Sequence, residues 1–154
     1  MQKIATFLWF DKEAAEAARF YTSVFKDSRI VDSTTLENTP SGTVEIVTIE
    51  LFGQLFQLMS AGPLFKFNEA ISFVVNCDTQ AEIDYYWDKL SAVPEAEACG
   101  WLKDKFGVSW QIVPTIMFEM QKSKDRNKLA RLTEAFLKMK KFDIATLRQA
   151  YDEK

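Results

Sequence analysis

Two glutamines in a repeated six-residue pattern are the side chains whose spacing points most clearly to shared chemistry. The stretches GQLFQL at 53–58 and GVSWQI at 107–112 both read glycine, two residues, an aromatic, glutamine and an aliphatic. The amides of Gln57 and Gln111 donate and accept hydrogen bonds but carry no charge. They can therefore orient the polar groups of a ligand, whereas they are weak ligands for a divalent cation.

The rest of the composition excludes several classes of catalytic site. The 154-residue chain has no histidine, which is the commonest metal ligand and the usual general base near neutral pH. None of its five glycines forms a G-x-G-x-x-G motif or a P-loop. Cys77 and Cys99 lack the spacing of a disulfide framework, so we expect free and inert thiols. We exclude conventional zinc catalysis and Ser-His-Asp hydrolysis, and we predict no cofactor.

Charge and hydropathy limit the partners. The net charge is −3, and the basic residues cluster only at Lys138, Lys140 and Lys141, which argues against a nucleic-acid partner. No apolar run reaches the length of a membrane span, and the N-terminus lacks the pattern of a signal peptide. We therefore expect a cytoplasmic protein with no membrane partner. Apolar residues make up 47% of the chain, enough for one large core.

The pattern of elements repeats along the chain. In the first copy, residues 3–10 read as a strand, Asp11 as a helix N-cap, and three further strands follow at about 28–37, 43–51 and 54–60. The second copy has a strand at 70–77, a helix with Thr79 and Glu82 in capping-box spacing, a strand near 95–99, and a hairpin whose DKFG turn suits a type I turn closed by a glycine bulge.

The two copies are each predicted to be a βαβββ module. Their first strands align at an offset of 67 residues and their glutamine hexapeptides at 54, so the first copy carries about thirteen more residues. The remaining residues, 116–154, show amphipathic helical periodicity. This C-terminal helical extension either covers a sheet or contacts a second subunit.

Three stretches carry a resemblance to a known family: FYTSVFKDSRI, FKFNEAISFVVNCDTQAEIDYYW and CGWLKDKFGVSWQIVP. With the paired modules, they resemble the glyoxalase/bleomycin-resistance (vicinal oxygen chelate) superfamily, in its PhnB-like branch often labelled demethylubiquinone methyltransferase. The resemblance implies an α+β fold in which modules at about 1–62 and 67–115 form one domain, 1–115. Their curved mixed sheet would close a cup around a small-molecule cavity. It also implies a homodimer.

The resemblance further implies where a metal would bind in related proteins. Metal-dependent members place histidine and glutamate on the first and last strand of each module. The two glutamate positions fall on Gln57 and Gln111, and the histidine positions fall near Thr6 and near Ala70 or Ser72. With no imidazole and no carboxylate at these positions, we expect the two glutamines to face one metal-free cavity.

Strand alternation extends this set of cavity residues. If Gln111 faces the cavity, so does Ser109, and in the predicted hairpin Trp101 pairs with Gln111 and Lys103 with Ser109. The predicted ligand-cavity residues are Thr6, Leu8, Gln57, Met59, Ser72, Trp101, Lys103, Ser109 and Gln111. The competing structural interpretation is that the glutamines only satisfy buried polar groups and that Lys103 is solvated.

The sequence thus favours a metal-independent small-molecule-binding protein of the PhnB-like branch, with a lining that suits a planar or partly apolar ligand. The alternatives are a metal-dependent lyase or dioxygenase of the same superfamily, and the methyltransferase that the family label names. A further alternative is an interaction protein that uses its helical tail. The identity of the ligand, and whether any reaction is catalysed, are left open.

Overall fold

The computed structural model describes residues 2–153 and divides the chain into two compact units, residues 1–67 and 68–154. The elements of the first unit are β1 (Thr6–Phe10), α1 (Ala14–Val24), β2 (Ser28–Thr39), β3 (Gly42–Leu51) and β4 (Gln54–Ser60). Those of the second unit are β5 (Ser72–Cys77), α2 (Gln80–Leu90), a short 3₁₀ helix (Pro94–Ala96), β6 (Trp101–Lys103), β7 (Ser109–Pro114), α3 (Ile116–Gln121), α4 (Arg126–Leu137) and α5 (Ile144–Asp152). This mixture of helices and mixed sheets confirms the predicted α+β class.

The first unit is a four-stranded sheet covered on one face by α1. The strand order is β1-β4-β3-β2, with β1 parallel to β4 and the other neighbours antiparallel. Ala14, Ala18 and Tyr21 are buried on the helix side, as their spacing predicts. The prediction of Asp11 as N-cap is wrong: the helix begins later, and the Ser60 hydroxyl on β4 accepts the hydrogen bond from the Ala14 N–H at 3.0 Å.

The second unit has a three-stranded sheet in the order β5-β7-β6, with β5 parallel to β7. The prediction of a strand near 95–99 is wrong. Pro94 instead begins the 3₁₀ helix, where its fixed φ is favourable. The chain then turns through Cys99 and Gly100, both at positive φ, so that only a single bridge joins Ala98 to Trp101. Within the described residues, the second copy is therefore βαββ.

The strand registers support the duplication directly. In the first sheet Phe7 lies beside Gln57, and in the second sheet Val74 lies beside Gln111. The offset of 67 residues aligns Phe7 with Val74, and the offset of 54 aligns the two glutamines. Each copy therefore places its glutamine next to the equivalent residue of its first strand, and the first copy has thirteen more residues between them, as the sequence predicts.

The C-terminal helices pack on the second module and have their own small core. This core is formed by Met117, Met120, Leu132, Phe142 and Leu147, against which Val113 of β7 also packs. The chain leading to α5 is tied to the Cys99–Gly100 turn by two backbone hydrogen bonds of 2.8 Å, from the N–H groups of these two residues to the carbonyls of Met139 and Lys140. The extension thus covers part of its own chain. Between residues 2 and 153, no helix combines the length and apolarity needed to span a bilayer.

Both cysteines are free thiols, as expected. Cys77 is fully buried at the end of β5, and burial, with a smaller contribution from the nearby carboxylates of Glu82 and Asp78, raises the pKa of its thiol to about 12. A thiol that stays protonated is a poor nucleophile, so this side chain belongs to the core.

Candidate functional site

Five predicted cavity residues lie together on one face of the second sheet. The antiparallel hairpin pairs Trp101 with Gln111 and Lys103 with Ser109, and the parallel pair places Ser72 beside Ser109. Partners in a sheet point to the same side. We call this surface the Gln111 face, formed by Ser72, Trp101, Lys103, Ser109 and Gln111. The residues that alternate with them, Leu102, Trp110 and Ile112, are buried on the opposite side.

The hydrogen-bond ladder shows how close these side chains lie. The Ile112 N–H donates to the Gly100 carbonyl, and the Asp104 N–H donates to the Val108 carbonyl, each bond marking a hydrogen-bonded position of the hairpin. Three pairs lie between these two positions, and hydrogen-bonded and non-hydrogen-bonded pairs alternate, so the first and third of the three, Trp101–Gln111 and Lys103–Ser109, are of the non-hydrogen-bonded kind. In such pairs the side chains approach more closely, so Lys103 is held next to Ser109 and Trp101 next to Gln111.

The polar groups of the Gln111 face are rich in donors. The Gln111 Nε2 donates to the Ser72 hydroxyl at 2.9 Å, and the Lys103 ammonium pairs with the Glu69 carboxylate. That hydrogen bond from Lys103 holds the pKa of the Glu69 carboxyl below its ordinary value. The Ser109 hydroxyl differs from the others: its residue is 2% exposed, and within residues 2–153 its Oγ has no hydrogen-bond partner.

Asp104 holds the turn that positions Lys103 and Ser109. Its carboxylate is 1% exposed and accepts from the backbone N–H groups of Phe106 and Val108 at 2.9 and 3.0 Å. It also accepts from Trp110 Nε1 at 2.8 Å. The Gly107 N–H donates to the Asp104 carbonyl at 3.0 Å, and Gly107 has a φ of 87°, which matches the predicted type I turn with a glycine bulge. The sequence predicts the turn but not the buried role of this carboxylate.

In the first sheet, Gln57 and Met59 share a face with Phe7 and Trp9, their partners on β1. We call this surface the Gln57 face. Phe7 is 48% exposed, and the Trp9 ring makes an edge contact with the ring of Phe65 at 5.0 Å. On β3, Thr48 pairs with Gln57, so the amide lies between the aromatic ring of Phe7 and a threonine.

The predicted face of Thr6 and Leu8 requires correction. Both lie on the opposite side of the first sheet from Gln57, beside Phe56 and Leu58, and Leu8 is buried in the core. The physical reason is that β1 is displaced by one residue from the assumed register, and a one-residue displacement moves every side chain to the other face. The repeat predicts the observed register of β1, because the offset of 67 residues aligns Ser72 with residue 5 and Val74 with Phe7, not with Thr6.

These positions do not fit a divalent metal ion. Beside Gln57, β1 contributes the hydrocarbon ring of Phe7. Beside Gln111, β5 contributes Val74 and Ser72. The Gln111 amide is already hydrogen-bonded to Ser72. Tight protein sites for divalent cations include imidazole, carboxylate or thiolate ligands, and the strand partners of the two glutamines supply none of these. Nor does any group of three or more such side chains occur elsewhere in residues 2–153.

Residues 2–113 match the profile of the family described as 3-demethylubiquinone-9 3-methyltransferase. Among solved structures, the chain is similar to the PhnB protein of Bacillus cereus. The two are 36% identical over 74% of this chain and 100% of that chain, with a TM-score of 0.61. No protein with a curated description matches the chain.

Two more distant structures share the fold. Protein PA1353 of Pseudomonas aeruginosa is 20% identical, covers 74% of this chain and 98% of its own, and has a TM-score of 0.55. The fosfomycin resistance protein FosX of Listeria monocytogenes is 14% identical, with 79% of this chain and 98% of that chain covered and a TM-score of 0.55. These similarities establish a glyoxalase/bleomycin-resistance fold.

Proposed function

Since the chain belongs to the PhnB-like family described as 3-demethylubiquinone-9 3-methyltransferase, within the vicinal oxygen chelate superfamily, we propose that it binds a small molecule without a metal ion. The Gln111 face provides the polar contacts to this ligand. A common cavity lined by both glutamines stays a prediction of the sequence and the resemblance.

The observation that carries the proposal is the buried hydroxyl of Ser109. A buried hydroxyl without a hydrogen-bond partner costs about 1–3 kcal/mol. Most buried polar groups have partners, so one that lacks a partner within residues 2–153 and lies between other polar side chains supports a role in ligand contact. Here the neighbours of Ser109 on the same face are Ser72 and Lys103, with Trp101 and Gln111 one pair further along. This arrangement supports hydrogen bonding to a ligand that stacks on an aromatic ring.

The metal-dependent alternative, a lyase or dioxygenase, requires ligands that these two faces do not offer. Elemental analysis of protein purified without chelators distinguishes it from metal-free binding. We expect less than about 0.1 metal ion per chain, because weak neutral ligands do not retain a cation through purification. Stoichiometric manganese, nickel, zinc or iron would favour the metal-dependent reaction instead.

The methyltransferase in the family description has a separate requirement. Binding of S-adenosylmethionine usually relies on a glycine-rich loop after a parallel strand. In this chain β1 leads into α1 through Asp11, Lys12 and Glu13, and β5 leads into α2 through Asp78 and Thr79, without a glycine. We therefore do not propose methyl transfer, and titration calorimetry with S-adenosylmethionine tests this directly.

A thermal-shift screen of small aromatic and polar compounds on chelator-treated protein tests the binding function. We expect several compounds to raise the melting temperature, and Gln111→Leu to weaken their binding about tenfold, because it removes an amide that would contact the ligand. Gln54→Leu is the matched control, since Gln54 is exposed at the start of β4. No shift with any compound, or equal losses in both variants, would contradict the proposal. Sedimentation of the same samples tests the expected homodimer.

A further inference from the structure

The chemistry of the Gln111 face also limits what kind of ligand it can take. Three of its groups have protons to donate: the Lys103 ammonium, the Ser109 hydroxyl, and the Ser72 hydroxyl, whose oxygen already accepts from Gln111. Within the described part of the chain, residues 2–153, the one carboxylate among the hydrogen bonds of this face is that of Glu69, which comes from the segment before β5. A face with an excess of donors and one cation is matched by a ligand with an excess of acceptors and a negative charge.

Glu69 shows which anion suits the Lys103 ammonium. The Lys103 side chain is 23% exposed, whereas the Glu69 side chain that pairs with it is 62% exposed. An ion pair whose acid is this exposed contributes little to stability, so its carboxylate can be displaced at small cost. The position next to Lys103 therefore accepts a carboxylate, and the residue that now supplies it is held weakly.

The spacing of residues along β6 indicates the second part of the ligand, its aromatic ring. Trp101 is two residues from Lys103 on the same strand and the same face. Two residues of a strand span about 7 Å, which is roughly the distance between the carboxylate and the far ring of a small aromatic acid. The Trp101 ring offers the surface on which such a ring would pack.

We propose that the Gln111 face binds a planar aromatic carboxylic acid. In this complex Lys103, Ser109 and Ser72 donate to the carboxylate, Trp101 contacts the ring, and Glu69 is the internal carboxylate that the ligand displaces. This inference rests on the small-molecule-binding function proposed above and adds the chemical class of the ligand.

Titration calorimetry with three matched probes tests the class: 2-naphthoate, its neutral amide 2-naphthamide, and the cation 2-naphthylmethylamine. We expect the chain to bind 2-naphthoate about tenfold more tightly than 2-naphthamide, because a charge-assisted hydrogen bond is stronger than a neutral one. Lys103→Met should remove this preference. Lys105→Met, the same change in the exposed turn two residues away, should keep it. Glu69→Gln should tighten the binding of 2-naphthoate, because it frees the ammonium.

Ser109→Ala gives an independent test, because it should change the melting temperature and the ligand affinity in opposite directions. Removing a buried hydroxyl that has no partner among the described residues should raise the melting temperature by about 3 °C, while the affinity for 2-naphthoate falls. A hydroxyl that only stabilises the fold would lower the melting temperature when removed, and that result would contradict its assignment to the ligand.

The outcomes separate this inference from the binding function. If 2-naphthamide or 2-naphthylmethylamine binds as tightly as 2-naphthoate, or if Lys103→Met leaves the preference unchanged, the carboxylate class is wrong and the binding function stands. If none of the three probes binds, and no compound of the wider screen binds either, both are wrong.

Discussion

Replacing Gly100 with alanine should lower the free energy of unfolding by about 3 kcal/mol. A Cβ atom at this position would stand 2.3 Å from Cε2 of Phe142, and the backbone has a φ of 81°, which an L side chain strains to adopt. Neither partner can move easily. The Gly100 backbone is hydrogen-bonded on both sides at 2.8 Å, to Lys140 and Ile112, and the Phe142 ring is 3% exposed in the core of the C-terminal helices.

Gly42→Ala is the matched control for this prediction. Gly42 has almost the same φ, 82°, but a Cβ there would meet no atom within 4 Å. It should therefore cost only the backbone strain, about 1 kcal/mol. Urea unfolding of both variants measures the difference, and Phe142→Leu in the Gly100→Ala background should recover part of the loss. Equal costs for the two glycines would show that the C-terminal helices do not pack on this turn as described.

Replacing Asp104 with alanine should cost about 3–5 kcal/mol of unfolding free energy. The substitution removes the acceptor of three hydrogen bonds: a part-buried one from the Phe106 N–H, and two buried ones from the Val108 N–H and the Trp110 indole. Asp104→Asn keeps the size of the side chain but brings one amide N–H against a donor, so it should cost about 2 kcal/mol. Because the same turn positions Lys103 and Ser109, ligand affinity should fall in both variants.

Asp125→Ala is the matched control, because it also removes a carboxylate that accepts hydrogen bonds from backbone N–H groups. Asp125 caps α4 by accepting from Asn127 and Lys128, but it is exposed, so its loss should cost about 1 kcal/mol. Chemical denaturation followed by tryptophan fluorescence gives both values. If Asp104→Ala is no more destabilising than Asp125→Ala, the carboxylate is not the main support of the hairpin.

The predictable parts of this molecule are those in which local sequence decides geometry. The hairpin is fixed by the DKFG turn, since Gly107 supplies the positive φ that sets the register. That register then places Trp101, Lys103, Ser109 and Gln111 on one face, as the sequence predicts. The duplicated hexapeptides likewise predict that Gln57 and Gln111 occupy equivalent positions, and the two parallel strand pairs confirm this.

The parts that could not be predicted depend on contacts between distant segments. The register of β1 is set by pairing with β4, fifty residues later, so the local sequence predicts the wrong face for Thr6 and Leu8. The start of α1 is capped by Ser60 of another strand and not by its neighbour Asp11. The ion pair of Glu69 with Lys103 likewise joins two segments that lie far apart in sequence, and no local pattern indicates it.

The central claim is that one small molecule binds to the Gln111 face without a metal ion. The most direct test is to follow the side-chain amide resonance of Gln111 by NMR in chelator-treated, ¹⁵N-labelled protein while 2-naphthoate, or the best compound of the screen, is added. We expect this resonance to shift along a binding curve, and added Mn²⁺ to leave that curve unchanged. A ligand that binds while the Gln111 amide does not respond, or that binds only after Mn²⁺ is added, would contradict the claim.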